Sequence, residues 1–174
     1  QLIVISDPAL IKIPIGILYN QKENFYACQK WSLQCVPSLS ILEWCNKQVV
    51  EGSSALLLGY PGETDQEDYL FAIEDEIGAL SELYEDSTLL YASEATKSNF
   101  YRSATEKAVI HLAGHAEFYA NPPTNSGMPL ADGSWLRASD LYIRHGFLRG
   151  SIVILSGCEM GSQHAEGGEM LGLN

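Results

Sequence analysis

Apolar positions along this chain follow two rhythms in alternation, short unbroken runs and residues recurring every third or fourth place. Such alternation predicts an α/β domain on a mostly parallel central sheet, because strands covered on both faces read as unbroken runs and helices as stripes. Residues 2–6 open the series as a strand, and 31–36 form a second extended segment ending at Pro37. Ser38 is a good N-cap for a helix over 39–48, with Leu39, Leu42 and, just beyond, Val49 on one face. Ala-Leu-Leu-Leu-Gly at 55–59 has the pattern of a strand buried on both sides, stopped by Pro61 and Gly62. An acidic helix follows over about 69–84, with Ile73, Ile77, Leu80 and Tyr84 at helical spacing. Residues 88–91 read as a short strand, Ser93 as the N-cap of a helix over 94–104, and 109–113 as the next strand. The stretch 121–134 is rich in Pro, Gly and Asn, which predicts a loop with a small hairpin around Ala131-Asp132-Gly133. A short helix over 138–143 has Ser139 or Asp140 near its start, and 151–156 is the clearest buried strand. The glycine-rich 161–168 comes next, and Glu169-Met-Leu-Gly-Leu is expected to open a helix.

Length and charge narrow the classes open to such a domain. A chain of 174 residues has room for one domain with a sizeable core, so residues 1–174 are read as a single unit. It starts without a Met, which suggests a piece excised from a longer polypeptide. Ten Lys and Arg against 22 Asp and Glu leave a net charge of −12. That balance repels phosphate backbones and sets nucleic acid aside as a direct partner. The apolar start is broken by Asp7, Pro8, Lys12 and Pro14, too short for a membrane span and without the basic flank of a secretory signal. The four cysteines, Cys28, Cys35, Cys45 and Cys158, form no CxxC pair and are few for a disulfide scaffold. They read as reduced thiols in a cytoplasmic protein, and nothing calls for a metal or a cofactor.

Two of the predicted strands deliver reactive side chains. His115 follows the strand over 109–113 and Cys158 follows the strand over 151–156, each directly after a glycine. In open α/β sheets ligands bind beyond the carboxyl ends of the strands. If these strands are neighbours, imidazole and thiol meet there on rigid supports. A thiol needs a base because the thiolate is the nucleophile, and histidine accepts the proton and returns it to the leaving amine. Gly114 and Gly157 permit tight turns at the strand ends, and Gly161 with Gly167-Gly168 suggests backbone lying close to a substrate. Backbone N–H groups of Ala116 and Cys158 are placed to form an oxyanion hole.

Val109-Ile-His-Leu-Ala-Gly-His115-Ala and Ile152-Val-Ile-Leu-Ser-Gly-Cys158-Glu-Met-Gly resemble the two motif blocks of CHAT domains, caspase-like peptidase modules related to separase. Further similarities run in order along nearly the whole chain: Pro8-Ala-Leu, Ile13-Pro-Ile, Val36-Pro-Ser38, Leu58-Gly-Tyr-Pro61, Glu76, Ala95-Thr96 and Ala131-Asp132-Gly133-Ser-Trp-Leu136. The resemblance implies a caspase-like three-layer α-β-α sandwich and a cysteine endopeptidase working through a Cys158–His115 dyad. It implies a protein substrate and regulation by an attached region such as tetratricopeptide repeats or by a partner. It also implies that the C-terminal part of the domain lies outside this chain, because CHAT domains continue through further strands after Gly-Glu-x-Leu-Gly-Leu. Ala116 stands where caspase relatives often have Gly, which leaves a backbone N–H in place.

The remaining polar residues take plainer readings. His111 lies inside its strand and is expected to be a buried, hydrogen-bonded core residue. Glu159 reads as an acceptor of backbone hydrogen bonds, with loop orientation and binding of a basic side chain as alternatives. Asp132 is turn chemistry. His145 and His164 read as solvent-facing loop residues, and the acidic stretch 63–85 as a solvated face. Gly-Cys-Glu-Met-Gly at 157–161 is not a nucleophile elbow of the α/β-hydrolase kind. Two other functions compete with the peptidase, a non-catalytic interaction module on the same fold and a flavodoxin-like nucleotide-binding domain. The latter lacks a phosphate-cradling glycine motif after its first strand.

Overall fold

The computed structural model describes residues 1–5, 13–48, 50–144, 148, 150–158, 163–166 and 169–172, the last two segments by backbone alone. The chain divides into two compact units, Gln1–Lys47 with Ala165–Met170, and Gln48–His164 with Leu171–Asn174.

In the first unit β1 (Leu2–Val4) lies beside a later strand of the same unit. Strands β2 (Tyr19–Asn20) and β3 (Phe25–Tyr26) form an antiparallel pair. Their turn is held by Asn20, whose Oδ1 accepts from the N–H groups of Lys22 and Glu23 at 3.0 and 3.2 Å. A single helical turn, α1 (Ala27–Lys30), leads into β4 (Leu33–Cys35), which pairs in parallel with β1, Leu2 opposite Leu33. The extended segment expected over 31–36 is therefore shorter than its apolar pattern. Helix α2 (Leu39–Asn46) starts as its sequence predicts, with Ser38 Oγ accepting from Ile41 N–H at 3.2 Å. Val49 lies outside the described residues.

The second unit carries the mixed α/β core. Strand β5 (Ala55–Tyr60) is buried over all six residues. Helix α3 (Ala72–Leu83) follows, then β6 (Ser87–Tyr91), α4 (Lys97–Ser103) and β7 (Val109–Gly114). A short antiparallel hairpin, β8 (Gly127–Pro129) with β9 (Trp135–Arg137), turns around Ala131-Asp132-Gly133 as expected. Helix α5 (Ala138–Ile143) and β10 (Ile152–Ser156) follow; β10 was expected to be the clearest buried strand, but it lies at the edge of its sheet and exposes Ile152, Val153 and Ile154. Four strands form one parallel sheet in the order β10-β7-β5-β6. This is a sheet flanked by helices, the architecture of a caspase-like α/β fold. Beyond it, β11 (Gln163–Glu166) and β12 (Glu169–Gly172) pair as two strands. The residues from Glu169 are therefore strand where a helix opening was expected, and His164 lies in a strand where a loop was expected.

Alternation along β5 and β7 builds one apolar layer on each side of the sheet. Leu56, Leu58, Ile110 and Leu112 pack with Phe100 from α4 and Ala104 just after it, and with Met128 and Leu136 from the hairpin. Ala55, Leu57 and Ala113 pack with Ile73 and Ile77 from α3. The close seat of α3 depends on Gly59, where an added Cβ would stand 2.7 Å from Ile77 Cγ1 and 2.9 Å from Ile73 Cγ2. Two helix starts differ from expectation. Helix α3 begins at Ala72, after a loop in which Leu70 N–H donates to the Pro61 carbonyl at 2.8 Å. Helix α4 begins at Lys97, because Thr96, not Ser93, supplies the capping oxygen, accepting from Asn99 N–H at 3.2 Å. Asp140 does sit at the start of α5, its carboxylate accepting from Arg137 N–H at 2.9 Å.

Candidate active site

The sheet's connectivity creates a crevice between two particular strand ends. From β5 the chain leaves through α3 to β6 on one side, and it returns through α4 to β7 on the other. The two helices pack on opposite faces of the sheet. Strand order therefore reverses between β5 and β7, and a crevice opens beyond their carboxyl ends, the place where open α/β sheets bind ligands.

His115 is the first residue past β7 and stands at that crevice, with its side chain about 30% exposed. Its Nε2 lies 2.6 Å from the main-chain carbonyl of Asp68, in the loop that leaves β5. A carbonyl only accepts, so Nε2 carries the proton and donates, which makes Nδ1 the ring's acceptor. The Asp68 carboxylate is farther off, at 3.9 Å, and is 66% exposed, so it adds little beyond weak, solvent-screened attraction.

Cys158 follows β10, which is the direct parallel neighbour of β7. The last pair in register is Ser156 with Ala113, so Cys158 and His115 each come two residues further along adjacent strands. Cys158 is exposed and unpaired as a disulfide, as are Cys28, Cys35 and Cys45. Ala116 is buried at 8% exposure, and Glu117 beside it joins the hairpin through paired backbone bonds with Gly127, at 2.9 and 3.1 Å. Glu159, Gly161, Gly167-Gly168 and His145 lie outside the described residues.

His111 is buried as expected, at 5% exposure, with its Nε2 2.7 Å from Oε1 of Glu76 on α3. The acidic stretch is thus not wholly a solvated face, since one of its carboxylates is turned onto the sheet. The sequence held a signal for this. Glu76 occupies the third place after Ile73 and directly precedes Ile77, inside the apolar stripe of α3.

The loop beside His115 is tied at its start. Tyr60 O–H donates to Glu63 at 2.7 Å, and burial together with that bond pushes the phenol from its usual 10.0 up to about 12. An unfolded chain releases this proton near pH 10, and the folded one near 12. Between those values the folded state holds the extra proton, so stability falls as pH rises; the contribution is intact below pH 10. The bond is only part-buried, so solvent screens it and the expected loss is about 1 kcal/mol. Melting curves taken across this range should drop more steeply for the parent than for Tyr60→Phe, and equal slopes would remove the effect.

A caspase-like α/β core with a histidine at the crevice and a cysteine beyond the neighbouring strand defines the class. A family model for the CHAT domain matches residues 1–174. The chain belongs to the CHAT domain family, which is related to the caspase-like cysteine peptidases. No curated protein matches the chain. Among the described residues no helix is long and apolar enough to cross a membrane.

Proposed function

We propose that the chain is a cysteine endopeptidase that cleaves a protein substrate through Cys158 and His115. The observation that carries this reading is the parallel pairing of β7 with β10, which brings the residues leading to both side chains side by side at one sheet edge. Their parity agrees as well. His111 and Ala113 face the α3 layer, Ile154 and Ser156 pair with them, and two residues further on in each strand come His115 and Cys158.

The chemistry follows from the tautomer. With Nε2–H donating to the Asp68 carbonyl, Nδ1 of His115 accepts the proton from the Cys158 thiol. The thiolate sulfur attacks the peptide carbonyl carbon, and the resulting oxyanion is held by the N–H groups of Ala116 and Cys158. Collapse breaks the C–N bond as the imidazolium gives its proton to the leaving amine, which leaves a thioester on Cys158. Water, deprotonated by His115, then releases the acid product and restores the thiol. Control by an attached tetratricopeptide-type region or another partner belongs to the same reading, as does action in the cytoplasm.

All four cysteines are exposed, so differences in their reactivity report chemistry more than access. Iodoacetamide at neutral pH should therefore alkylate Cys158 faster than Cys28, Cys35 and Cys45, and His115→Ala should abolish that lead. Peptide mass mapping reads the four rates in one sample. Four equal rates would instead describe a non-catalytic interaction module.

A further inference from the structure

The proposed cleavage leaves one ionisable pair, a buried histidine against a part-exposed carboxylate, without a task. His111 sits in mid-β7 with Nε2 on Glu76, and its Nδ1 is buried with no hydrogen-bond partner among the described residues. Its neighbour in register on β5 is Leu57. A buried ring nitrogen left unmet weakens a core relative to an aliphatic side chain of similar size. Core packing alone therefore does not explain a histidine at this position.

Its placement does. His111 lies in mid-β7 and His115 directly follows the strand four residues on, roughly 13 Å away at the usual rise. Both tie β7 to the same β5–α3 connection. His115 bonds the Asp68 carbonyl in the loop, and His111 bonds Glu76 in the helix that the loop enters. The stretch between these anchors is itself fixed by Leu70 N–H on the Pro61 carbonyl at 2.8 Å and Ile73 N–H on the Leu70 carbonyl at 3.1 Å. Ile73 and Ile77 seat α3 on the sheet, and the polar anchors add constraints on its leading loop that apolar packing does not supply. Two anchors at separate heights fix both slide and tilt.

We propose that Glu76 is a positioning residue for the site: by gripping His111 it holds α3 where the Asp68 carbonyl meets His115 Nε2, keeping Nδ1 as the acceptor for the Cys158 proton. This rests on the peptidase reading above. The test compares Glu76→Ala and Glu76→Gln in the full-length protein, using a peptide library as substrate and ring-nitrogen NMR of His115. Glu76→Ala should keep KM within about twofold and lower kcat ten- to a hundredfold, the scale of a small misplacement of a reacting group. It should also lose the single Nε2–H tautomer signature of His115. Glu76→Gln keeps an oxygen that can accept from His111 and should restore most of both. A Glu76→Ala protein with parental kcat below its melting transition, or an unchanged His115 spectrum, overturns the proposal. Cys158→Ala separates the two ideas. Undiminished cleavage there defeats the peptidase reading, whereas an inactive Cys158→Ala beside a fully active Glu76→Ala defeats only the positioning role.

Discussion

Cys158→Ala is expected to end peptide cleavage by the full-length protein, with kcat falling on the order of 10⁴-fold or more. In the proposed mechanism, alanine removes the sulfur that forms the thioester. Cys28, Cys35 and Cys45 belong to the first unit and follow no strand of the four-stranded sheet. The change should cost the fold little, because the thiol is exposed and unpaired. An unaltered melting temperature beside lost activity would thus separate chemistry from folding. His115→Ala should fall to a similar level, and the double variant should lose no more than either single one, because groups that act in one proton transfer fail together. Product analysis of a peptide library by mass spectrometry reads all three. Cleavage within tenfold of the parent in either single variant would remove the dyad.

The strands that support this site were legible in the sequence for a physical reason. β5 and β7 are covered by neighbouring strands and by helices, so their residues run apolar; β10 carries the same apolar run but is an edge strand with Ile152, Val153 and Ile154 exposed, and the strand ends are marked by Pro61, Gly114 and Gly157. Helix starts were less legible because they depend on which backbone groups are already bonded. Tyr69 to Phe71 are apolar and read as part of α3, yet they belong to the loop after β5, which holds Leu70 N–H on the Pro61 carbonyl, and the helix opens only at Ala72. Ser93 and Thr96 are equally good caps on paper, and only the fold decides that Thr96 takes Asn99 N–H. The run Glu169–Gly172 shows the weakness of short apolar runs, which fit strand and helix alike.

At the site the same division holds. His115 and Cys158 are side chains with chemical signatures, and both stood out. The group that fixes the tautomer of His115 did not, because a main-chain carbonyl has no signature, and Asp68 is 47 residues away in sequence. Glu76 was hidden differently, as one acidic residue among many in a stretch whose average reads as solvent-facing. Only its place in the apolar stripe distinguishes it.

Gly114→Ala should show how tightly the end of β7 is held. Gly114 is paired with Tyr60 at the last step of the β5–β7 ladder, with φ at +157°. An added Cβ would stand 2.7 Å from the Tyr60 carbonyl oxygen and 3.3 Å from Met128 Cε. The methionine tip can swing aside, but the carbonyl belongs to a strand buried along its length, so the two strand ends must part. Such forced separation should cost about 1–3 kcal/mol of stability. It also moves the next residue, His115, away from the Asp68 carbonyl, and a shift of about 1 Å at a reacting group can cost roughly a hundredfold in rate. Gly78→Ala is the matching control, since nothing lies within 4 Å of its added Cβ and it sits inside α3. There alanine's better helix propensity should leave activity unchanged and raise stability by up to about 1 kcal/mol. If melting and cleavage are both normal in Gly114→Ala, then the close approach of β5 to β7 does not set the histidine's position, and the geometry that selects Nδ1 as the base must come from the Asp68 loop and the Glu76–His111 contact.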